Sequence, residues 1–235
     1  MTSNERVSVK RNRVFLMIGV AVVIGVGVAW WGGTRSHATA NAPTTGVEPA
    51  GQQEDWLRQR TKGQPSAAIT ILEASDFQCP WCRHFWEETL PGIEREYIAT
   101  GKARFIFLNF PIPSSHPNAP AAHEFAMCAA VQDRFWPMHD LLYQHQQRWA
   151  GMSDPVPYLY ELADSADLAR DSLDACFASG EVRTLIQAEA QMAYRAGITS
   201  TPSFVVEGAL LGGSASIDVW RPILDSIYTE KTGGQ

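Results

Sequence analysis

The chain is short of positive charge where a nucleic-acid binder would need it. Of its 235 residues, 25 are acidic and 19 basic, for a formal net charge of −6. Residues 1–13 carry four basic side chains and one acid, a net of +3, so the rest of the chain holds −9. An acidic body leaves no electrostatic footprint for a phosphate backbone, and no nucleic-acid partner is expected. Metal ligands are just as scarce. No two of the six histidines stand at metal spacing on a convincing face, and the four cysteines include one close pair where a four-cysteine zinc site needs two. No metal is expected. Internal repeats and a second hydrophobic core pattern are both missing, so one domain is the economical reading.

The N-terminus sets the compartment. Arg6, Lys10, Arg11 and Arg13 precede an uncharged apolar run from Val14 to Trp31, about long enough to cross a bilayer. The basic flank belongs in the cytoplasm, so everything after Trp31 is expected outside it, periplasmic or at the cell surface. Ala38-Thr39-Ala40 fits the small-residue rule for cleavage, which would release the protein. Against cleavage, the run exceeds the usual ~7–15 residues of a signal core, and Trp30-Trp31 sit where interfacial aromatic residues anchor a helix. The expectation is a cytoplasmic segment at 1–13 and an uncleaved single-pass anchor at 14–31. Residues 32–64 are mostly small and polar and read as a flexible linker, although Gln53 to Thr61 has the pattern of a short leading helix. The domain proper is expected at 65–229, with a tail at 230–235.

Inside that domain the most informative segment is Cys79-Pro80-Trp81-Cys82. The apolar, β-branched stretch Ala67 to Leu72 before it reads as a buried strand. After it, Phe85, Trp86, Leu90, Ile93 and Tyr97 recur at helical spacing. The first sulfur therefore falls at a helix N-terminus, where unpaired N–H groups stabilise a thiolate, the reactive species in disulfide exchange. On a helix the two cysteines share one face, the first exposed at the tip and the second shielded beneath it. Pro80 suits the first helical turn.

The remaining pattern is regular. Ala103 to Phe110 is a second strand, closed by Pro111 and Pro113. From Asn118 to Ala196 strand signals vanish, and 119–132, 135–147, 158–164, 167–177 and 182–196 read as helices. Ser203 to Val206 and Ala209 to Leu211 form a hairpin around Glu207-Gly208. A last helix spans about Ile217 to Tyr228, and Pro222 fits it only within a first turn. Strand, helix, strand, helical block, hairpin and helix make an α/β thioredoxin fold, a central sheet flanked by helices. The all-helical insertion, about 114–196, lies between the second core strand and the strand after Pro202.

The chain resembles the DsbA-like thiol:disulfide oxidoreductases, which are thioredoxin folds with an inserted helical subdomain. The resemblance is carried by Ile71 to Cys82, His116-Pro117-Asn118-Ala119, Phe135 to Asp140 and Gly197 to Phe204. It implies a catalytic pair, Cys79 and Cys82, whose redox poise is tuned by the intervening Pro80 and Trp81. The best-known oxidase members have a histidine in place of Trp81; tryptophan donates an N–H but carries no positive charge, so a less extreme oxidant is expected. The resemblance also implies that Pro202, after Thr201, is cis and lies against the active-site disulfide in the substrate-binding loop. A plain strand-starting proline is the alternative. Glu73, near the end of an apolar strand, is expected to be buried near Cys82 and to shuttle its proton, unless it reaches water.

Cys128 and Cys176 lie in helical patterns without near partners. Their mutual pairing is the simplest outcome, closing a loop of about 48 residues and worth ~2–4 kcal/mol; related proteins form such a structural bridge. Two free buried thiols or a relay to Cys79 remain open. Phe135, Trp136, Tyr143 and Trp149 read as core of the insertion, the alternative being that part of the series lines the substrate groove. His84 reads as an exposed helix residue, with a positive charge near the thiolate when protonated as the alternative; His123 and His145 read as surface or half-buried ones, and His116 and His139 have no assigned role.

The expected function is an extracytoplasmic dithiol oxidase that introduces disulfides into reduced secreted or membrane proteins. It needs no cofactor beyond its own redox-active disulfide. A quinone-linked membrane thiol oxidase is the partner the resemblance implies, and a monomer is expected. The alternatives are a reductase or isomerase using the same cysteines, a non-catalytic polypeptide-binding module, and a zinc-stabilised structural protein. An isomerase of related fold usually carries a dimerisation domain, for which residues 32–65 are too short and too polar.

Overall fold

The computed structural model describes residues 50–233. The segment 1–13, the anchor at 14–31, the cleavage motif at 38–40 and the linker as far as residue 49 lie outside the described residues, as do 234 and 235. Among the described residues no helix is long and apolar enough to cross a membrane.

A five-stranded sheet in the order β1-β3-β2-β4-β5 organises the domain. The strands are β1 (Thr61–Lys62), β2 (Ile69–Ser75), β3 (Ala103–Asn109), β4 (Ser203–Val206) and β5 (Ala209–Gly212). β2 is central. It runs parallel to β3, from Ile69 opposite Ala103 to Ser75 opposite Asn109, and antiparallel to β4, with Glu73 opposite Phe204. The β4–β5 hairpin turns at Glu207 and Gly208, with φ of 48° and 80°. Both residues are left-handed, as a two-residue hairpin turn requires. Strand side chains alternate between faces, so Ile69, Ile71, Glu73 and Ser75 share one face of β2.

The helices are α1 (Ala50–Gln59), α2 (Pro80–His84), α3 (Leu90–Ile93), α4 (Ala119–Ala130), α5 (Phe135–Gln144), α6 (Gln146–Trp149), α7 (Val156–Ser165), α8 (Arg170–Ser179), α9 (Glu181–Arg195) and α10 (Ile217–Thr232). α2 and α3 belong to one helical path that the sequence reads as a single helix. The path widens into π-helical turns at Phe85–Thr89 and Glu94–Ile98. The first of these stands just ahead of Pro91, which has no N–H to donate and whose ring crowds the preceding turn. Gly92 allows this helix to lie against α10; a Cβ there would meet Ile217 at 2.7 Å.

Helices α4 to α9 form the insertion, built around a core that includes Phe125, Phe135, Leu142, Trp149 and Leu162. A second core lies between one sheet face, the α2–α3 path and α10, and includes Ile69, Ile71, Phe85, Phe204, Trp220 and Leu224. α10 begins at Ile217, so Pro222 falls in its second turn rather than its first. The Asp218 carbonyl that loses its partner belongs to an exposed residue, where water replaces the bond.

The folded part begins earlier than residue 65. α1 and β1 occupy the end of the stretch read as linker, and Arg60 is fully buried there. Its guanidinium donates to Glu189 of α9 through two bonds of 2.8 and 2.6 Å, and to the Trp56 and Phe107 carbonyls. Composition hid this, because a long-range ion pair leaves no mark on local polarity.

Candidate active site

Cys79 is the residue that caps α2, with Pro80 first inside the helix. The chain reaches that position through a loop pinned mainly by the insertion. Asp76, fully buried, accepts bonds from the Gln78 and Ile112 N–H groups and from His116 Nδ1 at 2.7, 2.8 and 2.9 Å. Gln146 Nε2 donates to the Phe77 and Cys79 carbonyls at 2.7 and 3.0 Å. Gln78 accepts from the Asn118 N–H and donates to the Ala150 carbonyl. His123 is fully buried, neither on the surface nor half-buried as its sequence context suggests. Its Nδ1 donates to Asn109 Oδ1 and its Nε2 accepts from the Phe77 N–H. Burial drives its pKa down to about 3, so it stays neutral.

The two cysteines are unbonded thiols in very different surroundings. Cys79 is 4% exposed, more covered than a residue at a helix tip should be. The cover is the Thr201–Pro202 loop, whose peptide bond is cis and whose Thr201 carbonyl stands 3.4 Å from the Cys79 sulfur. The Cys79 pKa is lowered to about 6, chiefly by a hydrogen bond from the Cys82 thiol. Burial opposes the shift, and the Thr201 side chain and the N–H groups of Cys82 and Trp81 reinforce it. The helix end therefore contributes less than the second cysteine does. Cys82 is fully buried, and burial, the Cys79 charge and Glu73 push its thiol up.

Glu73 is 2% exposed and does not reach water. Burial raises its pKa to about 8, against a hydrogen bond from Ser75, and the Cys79 charge adds to the rise. Ser75 Oγ lies 2.7 Å from Glu73 Oε1 and 2.8 Å from the Tyr143 hydroxyl. The sequence reading gives neither Ser75 nor Tyr143 a place in the site. The two-residue period of β2 could have found Ser75, because it places Ser75 beside Glu73 on one face. Nothing local marks Tyr143, which arrives from α5 and stacks on Trp86 with ring centroids 5.8 Å apart. Trp81 is 63% exposed, its ring edge-on to His84. It offers the thiolate only its backbone N–H.

Cys128 and Cys176 are bonded to each other, joining α4 to α8. That removes two of the four sulfurs a zinc site would use. Among the described residues no group of three or more His, Cys, Asp or Glu could hold a metal ion.

Fold and site together define a thioredoxin-fold protein with an asymmetric dithiol under a cis-proline loop. The thioredoxin family model matches residues 57–226. The chain is 28% identical over 159 residues to a probable disulfide bond formation protein D of Bacillus anthracis, covering 66% of this chain and 72% of that protein. It is 29% identical over 171 residues to a Na(+)/H(+) antiporter, NhaA 3, of Salinispora tropica; that match takes in 73% of this chain but spans only 25% of the antiporter's length. In fold it is similar to alpha-DsbA1 of Wolbachia pipientis, with a TM-score of 0.67 at 22% identity over 74% of this chain and 92% of the other. The chain belongs to the thioredoxin family.

Proposed function

We propose that the chain is a dithiol oxidase working outside the cytoplasm, held to the membrane by residues 14–31, which introduces disulfides into reduced secreted or membrane proteins. A substrate thiolate attacks Cys79 of the oxidised pair, the Cys79–Cys82 bond breaks, and Cys82 leaves as the thiolate. A second substrate thiolate then attacks the substrate sulfur of the mixed disulfide and releases Cys79 as a thiolate. The observation that carries the reading is the placement of Cys79 at the start of α2, under the Thr201 carbonyl and cis-Pro202, next to a fully buried Cys82, surroundings that lower its pKa. A sulfur that ionises easily is a good leaving group, which favours giving a disulfide away.

Electrons pass from sulfur to sulfur, so the exchange itself calls for no other cofactor. The reduced pair is reoxidised by a quinone-linked membrane thiol oxidase, a partner inferred from the resemblance to DsbA-like proteins. The Cys128–Cys176 bridge supports an oxidising compartment. Thr201 and cis-Pro202 hold the substrate strand over Cys79. Trp81 supplies no charge to the thiolate and moderates the oxidising strength. The test is the equilibrium reduction potential of the full chain in glutathione buffers, followed by tryptophan fluorescence. A potential near or above about −180 mV supports the oxidase, whereas one near about −270 mV makes the protein a reductase.

A further inference from the structure

We infer that Asp76 is a positioning residue that aims its own backbone N–H at the Cys82 sulfur, and that His116 holds Asp76 in that place. This role rests on the thiol exchange proposed above and names a donor for the sulfur that takes up charge when the pair opens. Asp76 is the first residue past β2, where the chain turns from the sheet towards α2. Its carbonyl accepts the Cys79 N–H at 3.0 Å, and its Oδ1 accepts the Gln78 N–H at 2.7 Å. Aspartate suits the opening position of such a turn, because its short side chain reaches the N–H two residues ahead. The other N–H groups of the turn are thereby spent: Gln78 and Cys79 on Asp76 itself, and Phe77 on His123. The Asp76 N–H goes to the Cys82 sulfur, 3.5 Å away.

The carboxylate fixes where that N–H points. Its second oxygen, Oδ2, accepts from the Ile112 N–H at 2.8 Å and from His116 Nδ1 at 2.9 Å. Both donors come from the segment that leads out of β3 towards the insertion, so the turn is braced from outside itself. Asp76 is fully buried, and water does not compete for these bonds. When a substrate thiolate attacks Cys79, a bond forms between those two sulfurs. The Cys79–Cys82 bond breaks, and its electron pair goes to Cys82. No proton moves in this step. Cys82 then carries a charge in a place that opposes it, through burial and through the nearby Glu73. An N–H already in line meets the new charge without rearrangement, which is what makes a preorganised donor effective. The reverse step, closure of the pair, passes through the same Cys82 thiolate and uses the same donor.

The test is stopped-flow reduction of the oxidised full chain by dithiothreitol, followed by tryptophan fluorescence. Beside it stands the rate at which iodoacetamide alkylates Cys79 in the reduced chain. Replacing the Ser75–Asp76 amide by an ester, through nonsense suppression with the α-hydroxy analogue of aspartate, removes the N–H and keeps the side chain. The ester should slow opening of the disulfide by roughly 10-fold and leave Cys79 alkylation within about twofold of its unaltered rate. Asp76→Asn, which cannot accept from all three donors, should slow opening several-fold, and adding it to the ester should cost little more. His116→Ala should slow opening a few-fold, and His116→Gln, whose amide can donate to Oδ2, should restore most of the rate. An ester that opens at the unaltered rate overturns the inference. So does a folded Asp76→Asn chain that loses opening and Cys79 alkylation together, because the carboxylate would then serve the whole loop and not the Cys82 sulfur. The ester decides the matter if Asp76→Asn does not fold. Failure of dithiothreitol to exchange with the unaltered chain would instead sink the oxidoreductase reading beneath it.

Discussion

The molecule holds two cysteine pairs, and they differ in everything except the element. Cys79 and Cys82 sit one helical turn apart at the start of α2, unbonded. One sulfur has its pKa pulled down to about 6, and the other is pushed up by burial and by the negative charges of Cys79 and Glu73. Cys128 and Cys176 are 48 residues apart and join two helices of the insertion, with their α-carbons 5.8 Å apart. Among the described residues the cis peptide bond, Thr201–Pro202, stands at Cys79 and not at this pair. Reactivity therefore follows from surroundings that stabilise one sulfur's charge and oppose the other's. A cysteine pair without that asymmetry is a cross-link.

The sharpest way to break the comparison is to disable each pair in turn. Cys79→Ser should abolish thiol exchange, and a retained activity would move the protein to the polypeptide-binding class. Replacing both Cys128 and Cys176 by Ala should leave exchange intact and lower stability by about 2–4 kcal/mol, measured by guanidinium denaturation. Loss of exchange in that folded variant would make the second pair a relay.

A smaller effect sharpens the reactive pair. Alkylation of Cys79 should follow its thiolate, half-maximal near pH 6. Cys82→Ala removes the largest cause of that lowered pKa, so the midpoint should move up, and Cys82→Ser, which keeps a donor, should move it less. An unchanged midpoint in Cys82→Ala would hand the effect to the helix end. A lowered thiol pKa stabilises the folded dithiol form fully above the ordinary value of 9.0, and the gain fades as pH falls towards 6.

Glu73 has the opposite sign. Its pKa is raised from 4.5 to about 8, so folding disfavours its charge. It costs nothing below about pH 4.5, progressively more up to about pH 8, and a constant amount above that. Glu73→Gln should therefore stabilise the protein more at pH 9 than at pH 5, read from denaturation midpoints at the two values. Equal shifts at both would mean that Glu73 ionises freely in the fold.

Much of this was legible in order. Period-two and period-3.6 patterns located β2, β3, the hairpin and the helices of the insertion within a few residues. The strand before Cys79 and the helix after it placed the reactive sulfur at a helix tip. Glu73 stood out as a carboxylate in an apolar strand. Some readings did not carry through. The composition of residues 50–64 looked like linker, yet Arg60 is sealed into the core by Glu189, 129 residues away. His123 looked like a surface or half-buried residue and is instead the fully buried, neutral partner of Asn109. Ser75 and Tyr143 had no local signature of function.

What the sequence determined by itself is what depends on neighbours along the chain: the elements, the cap at Cys79, the hairpin turn, and the family written in its motifs. What only the tertiary structure decided is what depends on neighbours through space. Tyr143 meets Ser75 across 68 positions, and Gln146 holds the Cys79 carbonyl from 67 away. Burial and the approach of distant charges set the properties of Cys79, Cys82 and Glu73. Both are consequences of packing, which local periodicity does not encode.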